Sequence, residues 1–361
     1  MNGYERRLAE DKREIRRRVV AVGERVRAAV EMSVESLLRG DRAECARVIL
    51  GDLPINREVR SINKLCHAFI ARHLPSAGHL RFVSAVLQMN IGLERIGDYA
   101  VTIAREGAQL SAVPEAELAV QFRQLVKQAT VALRHAMQAF DDQNAELARE
   151  TKPETAVAGR SFDRIHDRLQ RTGGDLPLAQ AFALVTVAHR LMRVGDQAKN
   201  ICEETLFELT GETKPPKRYE ILFVDARDTL IAPLAVALAR KAFPASGRYS
   251  SAGYRAGENL APELVALAEE LSLDLAGIDP TPLSTDPKQL EQYHVIVALA
   301  PDVRRQLGQV PYATVLLEWQ LPGLADVASG GAVAGRLREV SQYLSNEISD
   351  LMVTMRGEDA G

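Results

Sequence analysis

The sequence predicts a multidomain chain: an all-α duplicated three-helix bundle followed by a small α/β domain built on a parallel four-stranded sheet. Three observations point that way. Residues 1 to about 212 are filled with apolar residues spaced by threes and fours and hold almost no strand signal. Two segments of that half, LERIGDYAVTIARE at 93–106 and LMRVGDQAKNICEE at 191–204, match 98 positions apart, sharing Leu, Arg, Gly, Asp, Ala, Ile and Glu in register. Beyond the stretch GETKPPKRYE at 211–220, short apolar runs alternate with helical patterns.

The first helix is marked by Ile15, Val19, Val22, Val26, Ala29, Ser33 and Leu37, the stripe of a long helix packing against others. Gly40, Pro54, Pro75, Pro114, Pro153 and the cluster TGGDLP at 172–177 then divide the half into about six helical segments, with Pro54 placed to kink the second. A repeat of this period, three helices to a copy, sets bundles at 1–112 and 113–213. The lysine- and proline-containing stretch reads as a linker, and the α/β domain is expected at 219–358. Its strands are predicted at 220–224, 247–251, 294–299 and 313–319, and its helices at 232–243, 261–271, 301–307 and 333–356.

Composition narrows the function classes. A chain of 361 residues, 46% apolar and 26% charged, has the make-up of a soluble globular protein with two or three cores. A net charge of −3 and a pI of 6.2 give no general attraction to nucleic acid. The N-terminus MNGYERRLAEDKREIRRR lacks the apolar core of a secretory signal, and no run of about 18 apolar residues exists. No integral membrane segment and a cytoplasmic location are therefore expected. Cys45, Cys66 and Cys202 form neither a CxxC pair nor an even set, so no disulfide framework or zinc site is suggested. In the basic run KREIRRR at 12–18, Glu14 interleaves with the cations, which predicts a solvated helix face. His67, His73 and His79 are spaced by six and cannot share one helix face, and His189 stands among apolar residues as a core histidine.

The two repeats resemble the PhoU family of bacterial phosphate-uptake regulators, whose signature is ERIGD-x-A-x-NI in each of two three-helix bundles. LPIN at 53–56, IARHLPSAGHLR at 70–81 and NICEETLFELTGE at 200–212 extend the resemblance over nearly all of residues 1–213. The resemblance implies a cytoplasmic accessory protein that damps phosphate signalling. Its implied partners are the ATPase of a phosphate ABC transporter and a phosphate-sensing histidine kinase, and its implied assembly is a homodimer. It implies no certain cofactor. Some members hold divalent or iron-type metal ions through E/D-x-x-x-D carboxylates, which share a helix face and can converge on a cation. The matching residues are Glu94 and Asp98 in the first repeat and Asp163, Asp167 and Asp196 in the second. Met192 stands where Glu is expected, and Val59, Ser61 and Asn63 occupy positions that are commonly acidic. A metal-binding helical sensor is the alternative that these carboxylates leave open.

ILFVDARDTLIAP at 221–233 reads as a buried strand, a charged loop and an apolar helix, the arrangement that holds phosphates in open α/β sheets. With SSAG at 250–253, LAPELVALAEELSLDLAG at 260–277 and HVIVAL at 294–299, it resembles the low-molecular-weight protein tyrosine phosphatase and arsenate reductase fold. That family carries C-x-x-x-x-x-R-S-P after its first strand, with a thiolate nucleophile and an Arg that clamps phosphoryl oxygens. Here Asp225 replaces the Cys, Ile231 the Arg and Ala232 the Ser, while Pro233 is kept. EWQLPGLAD at 318–326 matches the W-D-L-P-D-P segment but puts Gly323 at the general acid and Leu324 at the second Pro. The resemblance thus implies a phosphatase-like module without nucleophile, clamp or acid, hence no enzyme. The other classes kept open are a phosphoryl hydrolase using Asp225 itself, as in the D-x-D-x-T phosphatases, and a receiver-type aspartate. Against them, Arg227 stands at the second Asp of D-x-D-x-T, and the acidic pair expected of a receiver's first strand is absent.

Overall fold

Apolar spacing becomes helix throughout the first of two units, Met1–Lys214 and Pro215–Gly361. The computed structural model describes residues 3–171, 176–213, 218–311, 314–321 and 333–356. In the first unit these form α1 (Gly3–Arg39), α2 (Arg42–His73), α3 (Ala77–Gln109), α4 (Ala116–Asp141), α5 (Ala145–Glu154), α6 (Ala156–Arg171) and α7 (Leu178–Thr210). Side-chain caps start two of them. Asp41 accepts the Glu44 N–H at 2.9 Å, and Asn144 accepts those of Glu146 and Leu147 at 3.0 Å. Seven segments replace the expected six because the chain breaks at Thr155, just after Pro153, whereas α2 runs through Pro54. Ile15, Val19, Val22, Val26 and Leu37 of the predicted stripe are buried in one continuous core, with Ala29 at its edge and Val30 inside.

That core contains an ion pair where a solvated basic run was expected. Arg16 is buried, its guanidinium 4.3 Å above the Phe140 ring and donating to Phe140 O and, at 2.6 Å, to Glu208 Oε1. Lys12 Nζ approaches the same carboxylate at 3.2 Å. The helical period explains the difference: Arg16 follows Ile15 and precedes Val19 on the inward face, while Arg17 and Arg13 turn outward. The pair ties α1 of the first repeat to α7 of the second. Removing one partner of a buried pair strands the other charge, so Arg16→Met is expected to destabilise the helical unit by about 3–5 kcal/mol. Denaturant unfolding of the full chain checks this, and a loss below about 1 kcal/mol would mean the pair is no better than a surface one.

In the second unit β1 (Tyr219–Asp225), α8 (Ile231–Ala242), β2 (Gly247–Gly253), α9 (Pro262–Leu271), α10 (Pro287–Leu290), β3 (Val295–Ala298), α11 (Val303–Leu307), β4 (Val315–Glu318) and α12 (Val333–Arg356) follow in order. The sheet order is β2-β1-β3-β4, every pair parallel, with Phe223 opposite Ser251 on one side and Val297 on the other. Strand alternation feeds two cores. Ile221 and Phe223 pack with α8, α9 and α12; Leu222 and Val224 pack with Leu290, Val303 and Leu307 on the opposite face. In this order the connections leave β1 and β3 in opposite directions, so the loop after β1 lies at the topological switch point, outside the carboxyl end of the sheet.

Candidate functional site

The candidate site is that loop, residues 225–231. Asp225 still pairs with Gly253 at the end of β1, and the chain must then turn into α8, whose first N–H groups have no partner within the helix. Three donors of the turn end on one side chain. Arg227 N–H (2.9 Å) and Asp228 N–H (2.6 Å) donate to Asp225 Oδ1, and Ala232 N–H (2.9 Å) donates to Oδ2. Asp225 is only 8% exposed. The loop's carbonyls point the other way, with those of Ala226, Arg227 and Thr229 accepting from Arg255, Gly257 and Ala261 N–H at 2.8 Å each. Gly253 permits this closeness, since a Cβ there would lie 2.7 Å from the Arg227 carbonyl carbon and the Asp228 nitrogen.

The structure thus brings Asp225, Ile231 and Ala232 together at the β1–α8 turn. Ile231 and Ala232 are both buried. Arg227 is exposed, lining a surface depression of 620 Å³ with Thr229, Glu258 and Asn259, and makes no clamp over the turn. Gly323 lies outside the described residues. Trp319 of the same segment packs against Phe223, ring centroids 6.0 Å apart.

Asp228 is fully buried in the left-handed region at φ 54, a conformation that Asp tolerates better than most residues. Its Oδ2 accepts the Thr281 N–H at 2.7 Å, while Oδ1 has no hydrogen-bond partner. Burial pushes this carboxyl up to about 6, opposed by the Thr281 N–H and the nearby Ser251 hydroxyl and reinforced by the neighbouring Asp225 charge.

The carboxylates considered for metal are dispersed. Glu94 and Asp98 share α3, and the residue brought to them is Asp52 of α2, which nothing in the E/D-x-x-x-D spacing marks. Burial first, then the charges of Asp98 and Glu94, raise the Asp52 carboxyl; its hydrogen bond from Asn56 (2.6 Å) opposes them. Asp52 Oδ1 is buried without a partner and sits where a Cβ on Gly97 would come within 2.8 Å. Asp163 and Asp167 lie one turn apart on the exposed side of α6, where partial desolvation and then Asp167 raise the Asp163 carboxyl. Asp196 pairs instead with Arg193 at 2.8 Å. Among the described residues no group of three or more His, Cys, Asp and Glu side chains is arranged to hold a metal ion. His189 departs from its expected core place. Val187 and Ala188 take the inward positions, and the helical period turns His189 out, its ring 6.0 Å from that of Phe162.

Asp228 gives a pH-dependent test. Its folded pKa of about 6 exceeds the ordinary 3.8, so between those values the native state keeps a proton that the unfolded chain has lost. Ionisation of Asp228 therefore subtracts stability as pH rises through this window and subtracts none below it. Asp228→Asn, which also tolerates the backbone conformation, is expected to raise stability at pH 7 by at most roughly 3 kcal/mol and to change it little at pH 4. Equal destabilisation at both pH values, read from denaturant melts, would refute this.

The PhoU domain family matches residues 19–107 and 122–205. A phosphate-specific transport system accessory protein PhoU homologue of Pseudomonas putida is 29% identical over 209 residues, covering 55% of this chain and 78% of that protein. The crystal structure of PhoU from Pseudomonas aeruginosa aligns with a TM-score of 0.53 at 27% identity, over 56% of this chain and 99% of that one. The tyrosine phosphatase Wzb of Escherichia coli K30 aligns with a TM-score of 0.32 at 18% identity, over 38% of this chain and 99% of that one. No described helix is long and apolar enough to cross a membrane. With seven described helices that carry the repeated Gly97 and Gly195 segments, the first half of this chain contains a PhoU domain.

Proposed function

We propose that the chain is a phosphate-transport accessory regulator that acts by binding, its α/β unit serving as a phosphatase-like module without turnover. The observation that carries the second part is the capture of the loop's three N–H donors by Asp225. Those donors are what a phosphoryl group would need, and a carboxylate already holds them. The same bonds argue against Asp225 as a nucleophile, since both oxygens are engaged and nearly buried, and Arg227 fills the place of the second Asp. The PhoU domain and the accessory proteins that resemble it support the regulatory part. By that resemblance the proposed partners are a phosphate transporter's ATPase and a phosphate-sensing histidine kinase, with a homodimer as the working assembly and the cytoplasm as its place. A metal-sensing role has less support, because the candidate carboxylates do not gather into a donor set among the described residues.

Two tests separate the parts. Deleting residues 1–213 in the source organism is expected to derepress phosphate-starvation genes in rich phosphate, measured as transcript level; unchanged expression would remove the regulatory assignment. The purified chain is expected to show no hydrolysis of an aryl phosphate. Turnover that disappears in Asp225→Asn would instead establish an aspartyl nucleophile.

A further inference from the structure

We propose that the opposite, amino-terminal end of the parallel strands, where β1 and β2 begin, binds a small polyanion carrying two or more phosphoryl groups. This site is independent of the loop after β1 and of the reading given to it. A cavity of 410 Å³ opens there, lined by Arg218, Arg240, Pro244, Gly247, Arg248 and Tyr249. Three guanidinium groups around one concavity form an oxyanion site by chemistry alone, since each presents a planar fork of donors that matches phosphoryl oxygens.

The three differ in how they are held. Arg240, in the last turn of α8, donates to Ala276 O (3.2 Å) and Tyr249 O (3.3 Å), which fixes it as a wall without neutralising its charge. Arg248 is well exposed and reaches Glu220 at 3.3 Å. Arg218, just before β1, is exposed and has no hydrogen-bond or ion-pair partner among the described residues. Arg356 adds a fourth cation beside the wall by donating to Ser246 Oγ, one residue before Gly247. Glu220 is the one carboxylate in this set of contacts, so the positive charge is largely uncompensated. Lys241, next to Arg240, donates to Leu271 O of α9 at 2.7 Å and is not part of the lining, so Arg218 and Arg248 are the two well-exposed guanidinium groups of the cavity.

That pair decides the ligand class. A single carboxylate neutralises one guanidinium, whereas two or more linked phosphoryl groups carry enough charge and oxygens to engage Arg218, Arg248 and Arg240 together. The concave shape favours a compact ligand over an extended acidic peptide or a flat lipid surface.

The test is calorimetric titration of the full-length protein at low salt with inorganic tripolyphosphate and with orthophosphate. Tripolyphosphate is expected to bind more tightly, with affinity falling as salt is raised. Arg218→Ala/Arg248→Ala is expected to weaken it at least tenfold for each guanidinium removed, without lowering the melting temperature, because both side chains are exposed. Arg218→Lys/Arg248→Lys, which keeps the charge and loses the fork, is expected to bind between the two. The proposal is overturned if tripolyphosphate does not bind at millimolar concentration, or if neither pair of substitutions changes its affinity. Binding confined to anionic-lipid vesicles or to a poly-glutamate peptide would also overturn it.

Discussion

Three backbone N–H groups converging on one carboxylate set the form of the whole β1–α8 turn. A strand that passes into a helix over five residues leaves donors facing a single point, and donors buried without an acceptor cost about 1–3 kcal/mol each. An acceptor must sit there. Asp225 supplies it from within the chain, and the neighbouring geometry follows. With its N–H turned toward Asp225, Asp228 is held at positive φ, and its own carboxyl goes to the Thr281 N–H. The loop's carbonyls, facing away, are taken up by residues 255–261, and β2 can end beside them only as glycine.

The helical half obeys a different constraint, close approach of backbones at the repeated segment. Gly97 lies against Asp52 of α2, and its counterpart Gly195 lies against Thr155, where a Cβ would come within 3.2 Å of the carbonyl oxygen. Each neighbour lies two residues from a proline, Asp52 before Pro54 and Thr155 after Pro153. Pro54 of the first repeat sits in an unbroken α2; Pro153 of the second sits at the end of α5, where the helix stops. The duplicated segment therefore keeps its glycine while the helix that it faces has diverged from a continuous rod to a broken one.

Much of this is legible in the sequence, for reasons that differ by element. Apolar period alone locates α1, and the strands fall within a residue or two of their predicted spans because each is a short apolar run between polar turns. The β1–α8 turn is equally visible, since residues 221–233 read as a buried strand, a charged loop and an apolar helix. What spacing does not show is where a polar side chain finds its partner. Arg16 reads as one more member of a basic run until Glu208, far along the chain, is brought to it. Asp52 carries no motif, and only the fold sets it against Asp98. Whether Asp225 would repel an anion or replace it was likewise invisible, because the answer depends on the directions of three N–H bonds.

Those directions also bear on whether free phosphate could use the loop. An external anion would have to displace a carboxylate that the strand itself delivers, and a tethered group competes with the advantage of an effective concentration in the millimolar range or above. At millimolar phosphate the contest starts no better than level. The displaced Asp225 would then lie buried and without its three donors, a cost larger than that of a neutral group because it carries charge. Asp228 beside it is itself a buried carboxylate, one of whose oxygens lacks a partner, and offers it no compensation. Arg227, the loop's one cation, is turned to the surface depression and stabilises neither group. Every term favours the internal carboxylate, so the turn is complete without a ligand.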